Sequence, residues 1–209
     1  IEAACAGCGT CAAECPFDAI EMNHFTDAQI LSQVQAILEE DPQEKVVCFA
    51  CNWCSYAGAD FAGVSRLNYP PNVRLIRTMC SGRVDEKFVW EAFQSGAPAV
   101  LVSGCHFGDC HYIDANHWTK KRVEKIWNKM EKWGLRKERL QLEWISAAEG
   151  VRFSQVMEKM EELRKGVTKQ EIAETKRILK QVLKKKGKKA APRGQNQQAL
   201  GTESEGKVL

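Results

Sequence analysis

Residues 97–105 read APAVLVSGC, from Ala97 to Cys105, a run of small and β-branched side chains with no charge and no alternation. A strand with only one covered face alternates apolar and polar residues, whereas a continuous run marks a strand covered on both faces, the habit of a parallel sheet. Three further runs flank it: KVVCFAC at 45–51, NVRLIRTMC at 72–80 and LQLEWIS at 140–146. Between and after them lie helical segments. The first passes through Gly58 to Arg66 and is terminated by NYPPN; the second is VDEKFVWEAFQSG, ending at Gly96. The third spans 113–134 and closes at Gly134, and the fourth spans 147–166. Four β–α units in succession predict an α/β fold, a four-stranded parallel doubly wound (flavodoxin-like) domain over residues 45–166.

Two helices flank this domain. Residues 25–39, FTDAQILSQVQAILE, place Ile30, Leu31, Val34, Ile37 and Leu38 at helical spacing, with Thr26 or Asp27 as N-cap. Asp41-Pro42 ends that helix, so 26–44 is expected to be a bridge. After Gly166, Thr168 and Glu171 have capping-box spacing, and Ile172, Ile178, Leu179, Val182 and Leu183 share a face, predicting a helix at 167–187. Residues 188–209 are polar and predicted to be a disordered basic tail. From Lys184 onward there are seven basic residues against two acidic ones, a pattern that suits nucleic acid but more often marks a solvated end.

Ten cysteines in 209 residues require an explanation. Disulfide frameworks belong to short secreted chains with little core, and this chain has several apolar runs and long amphipathic segments. No stretch approaches the ~18 apolar residues of a membrane span, and the start IEAACAGC is not a signal peptide. Free thiols in a reducing cytoplasm are therefore expected, with metal binding as their use. The chain begins at Ile1 without Met, four residues before a cluster motif, and reads as cut from something longer.

That motif is Cys5, Cys8, Cys11 and Cys15, in the spacing C-x2-C-x2-C-x3-C followed by Pro16. It is the bacterial ferredoxin run for 4Fe–4S clusters, whose fourth cysteine ligates the other of two clusters. Residues 1–25 thus read as a partial ferredoxin-like segment: Cys5, Cys8 and Cys11 would hold one cube completed by a cysteine elsewhere, and Cys15 would serve a second. In this chain alone the motif is short of ligands.

The second set is Cys51, Cys54, Cys80, Cys105 and Cys110. On the predicted sheet all five fall at the carboxyl ends of strands, where open α/β folds bind ligands. Cys48, inside an apolar run, is an ordinary buried residue. Zinc would need four thiolates, commonly as paired C-x2-C knuckles, and only Cys51–Cys54 has that spacing. A thiol–disulfide enzyme would use Cys51 and Cys54 and leave three thiols idle. An iron–sulfur cluster explains more of the pattern. His106 and His111 each follow a cysteine directly, so their side chains point elsewhere; hydrogen-bonding roles for them and Asp109 suit better than ligation. Gly104 and Gly108 permit tight turns, and Trp53 and Tyr56 are candidates to shield the site.

CNWCSYAGADFAGVSRLNYPPNVRLIRTMCSGRVD (51–85), SGCHFGDCHY (103–112) and LEWISAAEG (142–150) resemble the delta subunit of methyl-viologen-reducing hydrogenase, from about Lys45 to Arg164. The upstream CAGCGTCAAECPFDAIEMNHFTDAQI (5–30) resembles the C-terminal end of the A-type subunit of heterodisulfide reductase, with its second ferredoxin motif. Together they look like a fusion of the two. The resemblance implies a 2Fe–2S cluster on four of Cys51, Cys54, Cys80, Cys105 and Cys110, with FAD confined to an upstream part. It also implies electron transfer from a hydrogenase or formate dehydrogenase partner to heterodisulfide reductase subunits. No general acid–base pair or nucleophilic triad is evident, so an electron-transfer role is expected rather than a hydrolase or transferase. The rivals are a thiol–disulfide oxidoreductase and a zinc-stabilised module binding nucleic acid through its lysines.

Overall fold

The structure, a computed structural model, describes residues 5–189. Four strands, β1 (Val46–Cys51), β2 (Val73–Thr78), β3 (Val100–Gly104) and β4 (Leu140–Trp144), form one parallel sheet in the order β2-β1-β3-β4. The register sets Val46 against Val73, Val47 against Val100 and Val100 against Leu140. Every residue of β1 and β3 is buried, whereas the edge strands β2 and β4 are only partly covered. That difference is why 97–105 lacks alternation while β2 exposes Arg74 and Arg77.

The helices are α1 (Thr10–Glu14), α2 (Asp27–Leu38), α3 (Ser55–Val64), α4 (Glu86–Ser95), α5 (Ala115–Lys132), α6 (Gly150–Lys165) and α7 (Lys169–Lys189). Successive strand residues point to opposite faces, and the two cores follow that parity. Val47 and Phe49 of β1 and Val100 and Val102 of β3 pack with Ile30, Val34, Phe88, Phe93, Ile126 and Leu179, from α2, α4, α5 and α7. Val46, Cys48, Ala50 and Leu101 pack on the other face with Ala59, Ala62, Phe153, Met157 and Met160, from α3 and α6. Helices thus cover both faces of a parallel sheet, the doubly wound arrangement expected.

The flanking helices belong to the same core. Thr26 is the N-cap of α2, and a full capping box with Gln29 closes its first turn. Ile30, Val34 and Leu38 are buried, while Leu31 and Ile37 sit at the margin. In α7 the Thr168 hydroxyl accepts the Glu171 N–H at 3.1 Å, but the Glu171 carboxylate turns to Arg136, 3.2 Å away. The helix continues to Lys189, two residues beyond the predicted end, through a lysine-rich stretch of good helix formers. The rest of the predicted tail lies outside the described residues. Arg139, fully buried, donates to Pro98 O, Ala97 O and the Thr175 hydroxyl and so staples α7 to the loop before β3. Among the described residues no helix is long and apolar enough to cross a membrane.

Leu179 is completely buried against this core. Leu179→Ala is expected to cost about 3 kcal/mol, read as a lower urea midpoint with an unchanged slope; a shift within error would show that α7 is dispensable to the fold.

Candidate metal centre

The chain order β2-β1-β3 makes the sheet grow in opposite directions from β1, and the crevice between the ends of β1 and β3 is the topological switch point of such a fold. The second cysteine set converges there. Cys51 is the last residue of β1, and Cys54 caps α3. Cys80 caps the single 3₁₀ turn Ser81–Arg83 after β2. Cys105 follows β3 directly, and Cys110 lies in the loop before α5. All five are buried in one contiguous cluster with Ala115, and Cys8 and Tyr112 pack against it. The Cys51 and Cys105 sulfurs are 4.0 Å apart, and with Cys54 they form a set whose ligand atoms all lie within 4.8 Å of one another.

Main-chain and side-chain bonds hold these loops. The Ser55 hydroxyl accepts the Cys51 N–H at 3.0 Å and donates to Ser103 O at 3.2 Å, tying the ends of β1 and β3 together. Asn116, fully buried in the first turn of α5, donates to both Cys105 O and His106 O at 3.0 Å. Gly82 N–H donates to the Cys80 sulfur at 3.4 Å, the kind of contact that favours thiolate character. Thiol hydrogens from Cys105, Cys54 and Cys80 hold Cys51 far below the usual thiol range. Cys54 is correspondingly held up, by Cys105 first and Cys51 next. Cys80 is held up by Cys51 and by burial, and Cys105 is pushed up to about 12 by Cys51. Thiols packed this closely oppose ionising together, and any metal entering the pocket must displace protons.

This donor set fits a metal. Two sulfurs on one tetrahedral metal with bonds of about 2.3 Å stand roughly 3.8 Å apart, close to the separation of Cys51 and Cys105. Five thiols exceed what one tetrahedral ion takes, and an all-thiolate set is what iron–sulfur clusters use. Cys48 lies on the opposite face of β1, completely buried, with its thiol pushed above the ordinary range by desolvation. It is not part of the centre.

The first set is differently placed. Cys5 and Cys11 are exposed, and Cys8 and Cys15 half-buried. Among the described residues these four are not drawn into a group as tight as Cys51, Cys54 and Cys105. The Cys8 thiol donates to the Thr10 hydroxyl at 3.4 Å, and Cys15 accepts the Ala19 N–H at 3.4 Å, which lowers its pKa.

The residues around the pocket divide. His106 Nε2 lies 2.6 Å from Glu149 Oε2, which also accepts the Ser146 N–H, so the hydrogen-bonding role holds for this histidine. His111 stacks on Trp53 at 4.0 Å, and Trp53 Nε1 donates to the Tyr112 hydroxyl at 2.8 Å. Trp53 thus reaches the pocket through Tyr112, but Tyr56 lies elsewhere, lining a surface depression with Tyr69 and Leu75. Sequence does not single out Tyr112 or Asn116, since neither residue type announces a metal site. Gly108 has φ +89 and serves a turn as expected. Gly104 does not: it is the last residue of β3, and its value is close approach. A Cβ there would lie 2.6 Å from Ser81 Oγ and 2.9 Å from Trp144 Cζ3. Gly104→Ala is expected to destabilise the fold by about 1–3 kcal/mol and to lower metal uptake by the pocket; unchanged denaturation and uptake would contradict this packing.

Residues 46–166 match the family described as methyl-viologen-reducing hydrogenase, delta subunit, and residues 1–21 match the 4Fe–4S binding domain. Over 137 residues the chain is 51% identical to the A-type subunit of ferredoxin:CoB-CoM heterodisulfide reductase from Methanosarcina mazei, aligning 65% of this chain with 17% of that protein's length. It is 48% identical over 120 residues to the D-type iron–sulfur subunit of the vhc F420-non-reducing hydrogenase from Methanococcus voltae, covering 57% of this chain and 83% of that one. The corresponding D-type iron–sulfur protein of the F420-non-reducing hydrogenase from Archaeoglobus profundus is 45% identical over 120 residues, 57% of this chain and 88% of that protein. With more than half of its length matched, and the thiol centre wholly inside the match, the chain belongs to the methyl-viologen-reducing hydrogenase delta subunit family.

Proposed function

We propose that the chain is an electron-transfer module of a hydrogenase–heterodisulfide reductase type of complex, and that its pocket holds a 2Fe–2S cluster on four of Cys51, Cys54, Cys80, Cys105 and Cys110. The observation that carries this is the convergence of five thiols from three separate strand ends into one buried cluster. When bound, such a cluster supplies one-electron transfer at a potential set by burial, charge and hydrogen bonds to sulfur. The protein's residues would supply the rest. Asn116 and Ser55 fix the loops that carry Cys51 and Cys105, the Gly82 N–H addresses the Cys80 sulfur, and the Trp53–Tyr112 pair limits water at the rim.

In this proposal residues 45–166 receive electrons from a hydrogenase or formate dehydrogenase partner, in the cytoplasm. The four-cysteine segment at 1–25, with Cys5, Cys8 and Cys11 as ligands of one 4Fe–4S cube and Cys15 of another, passes them toward the flavin of a heterodisulfide reductase-type complex. Support comes from the family match and from relatives named as hydrogenase iron–sulfur and heterodisulfide reductase subunits. A second reading is favoured by one observation: Cys51 and Cys54 stand close together as a C-x-x-C at the start of α3, the arrangement of a thiol–disulfide exchanger.

Anaerobic reconstitution with iron and sulfide separates the two. Visible absorption and EPR of a 2Fe–2S centre are expected, and a chain without iron or sulfide would remove the proposal. Cys80→Ala should abolish that signal while Cys48→Ala retains it. Retention in Cys80→Ala would take Cys80 out of the ligand set, and loss in Cys48→Ala would refute its exclusion. The exchanger predicts instead that Cys51→Ser alone abolishes a disulfide-reductase activity in metal-free protein.

A further inference from the structure

The four-cysteine segment is fastened to the rim of the thiol pocket by two buried arginines. Arg122 of α5 donates from Nη1 to Gly82 O at 3.0 Å and to Val84 O at 2.7 Å, two carbonyls of the turn that starts at Cys80. Its Nε and Nη2 donate to Glu14 Oε1 at 3.0 and 2.5 Å, and Glu14 immediately precedes Cys15. Arg83, in the same turn, donates to Phe25 O at 3.1 Å and to Asp27 at the start of α2 at 2.5 Å. Between these links the chains touch closely. A Cβ on Gly82 would overlap the Thr10 hydroxyl and press on Ala115, while Cys8 packs against the thiol cluster itself.

A buried guanidinium is stable only when paired and hydrogen-bonded. Arg122 meets that need with acceptors from both sides at once: carbonyls of the Cys80 turn on one, the Glu14 carboxylate on the other. One side chain therefore registers the two cysteine sets against each other. We propose that Arg122, acting through Glu14, is a positioning residue that fixes the separation of the four-cysteine segment from the pocket and so sets how readily an electron crosses between them. The proposal rests on the electron-relay function above. Such a crossing would take one electron from a cluster held by the pocket and deliver it to a cube to which Cys5, Cys8 and Cys11 contribute, with no bond broken and no proton moved.

Glu14 is the residue to change, because Arg122 then keeps its bonds to Gly82 O and Val84 O and the pocket wall survives. In the metal-free, reduced chain, Glu14→Ala is expected to raise the rate of Cys8 alkylation by N-ethylmaleimide about tenfold, the weight of a charged hydrogen bond on a local opening equilibrium. Labelling of exposed Cys5 and Cys11 should stay unchanged. Glu14→Gln, which keeps an acceptor, should retain most of the protection. Glu14→Lys sets two cations together and should bring Cys8 to the rate of Cys5. In the complex loaded with iron and sulfide, where a further cysteine completes the cube begun by Cys5, Cys8 and Cys11, Glu14→Lys is expected to abolish rapid electron passage from the pocket to that cube, with the EPR signal and iron content of the pocket retained. Unchanged Cys8 labelling, or passage as fast in Glu14→Lys as in the parent, would overturn the proposal, as would loss of the pocket signal in these variants. If the parent chain takes up no iron, the relay function fails; the Cys8 rates, which need no metal, still decide whether the link positions the segment.

Discussion

β1 is bonded along one side to β2 and along the other to β3, so the chain must leave it and return twice, once to each flank. Both excursions end at the same edge of the sheet, because every strand is parallel. The loops at the ends of β1, β2 and β3 are thereby compelled into one neighbourhood, whatever their sequences. Placing cysteines at those ends is enough to assemble a cluster of thiols without any local metal-binding motif beyond Cys51-x-x-Cys54. Close packing at the same edge, where Gly104 leaves room for Ser81 and Trp144, draws the loop ends to van der Waals distance.

Three buried guanidiniums hold what the sheet does not. Arg83, Arg122 and Arg139 are each almost fully buried, and each donates to main-chain carbonyls of irregular segments. Buried carbonyls outside helices and strands need donors, and arginine, with five of them in a rigid fork, can satisfy several at once. Arg139 does so for the loop before β3, Arg122 for the turn after Cys80, and Arg83 for the approach to α2. The Arg83 guanidinium also lies 4.9 Å from the Phe88 ring centre. The polar interior is thus organised around loops, and the apolar interior around strands.

Much of the fold is legible in the sequence because its signals are local. Unbroken apolar runs at β1 and β3, glycines closing α4 and α5, and the Thr26 cap all act within a few residues of where they are read. The five pocket cysteines are legible one step further on, since strand ends in a parallel sheet share an edge. Contacts between distant segments are not. Nothing in Glu14 or Arg122 taken singly indicates that they meet across 108 positions, nor that Cys8 lies against the pocket. Gly104 reads as a turn residue but is a strand residue, because sequence shows a missing side chain and not which neighbour fills its place. Glu171 has the spacing to complete a capping box, but Arg136 offers it a charge that the helix N-terminus cannot match.

Cys48 stands three residues before Cys51, yet strand parity turns it into the opposite core, where no part of it meets solvent. A reagent that counts thiols would reach it only when the whole sheet comes apart. The molecule thus contains its own gauge of global stability, set in the strand that leads to the pocket but insensitive to what the pocket holds except through the stability of the fold itself.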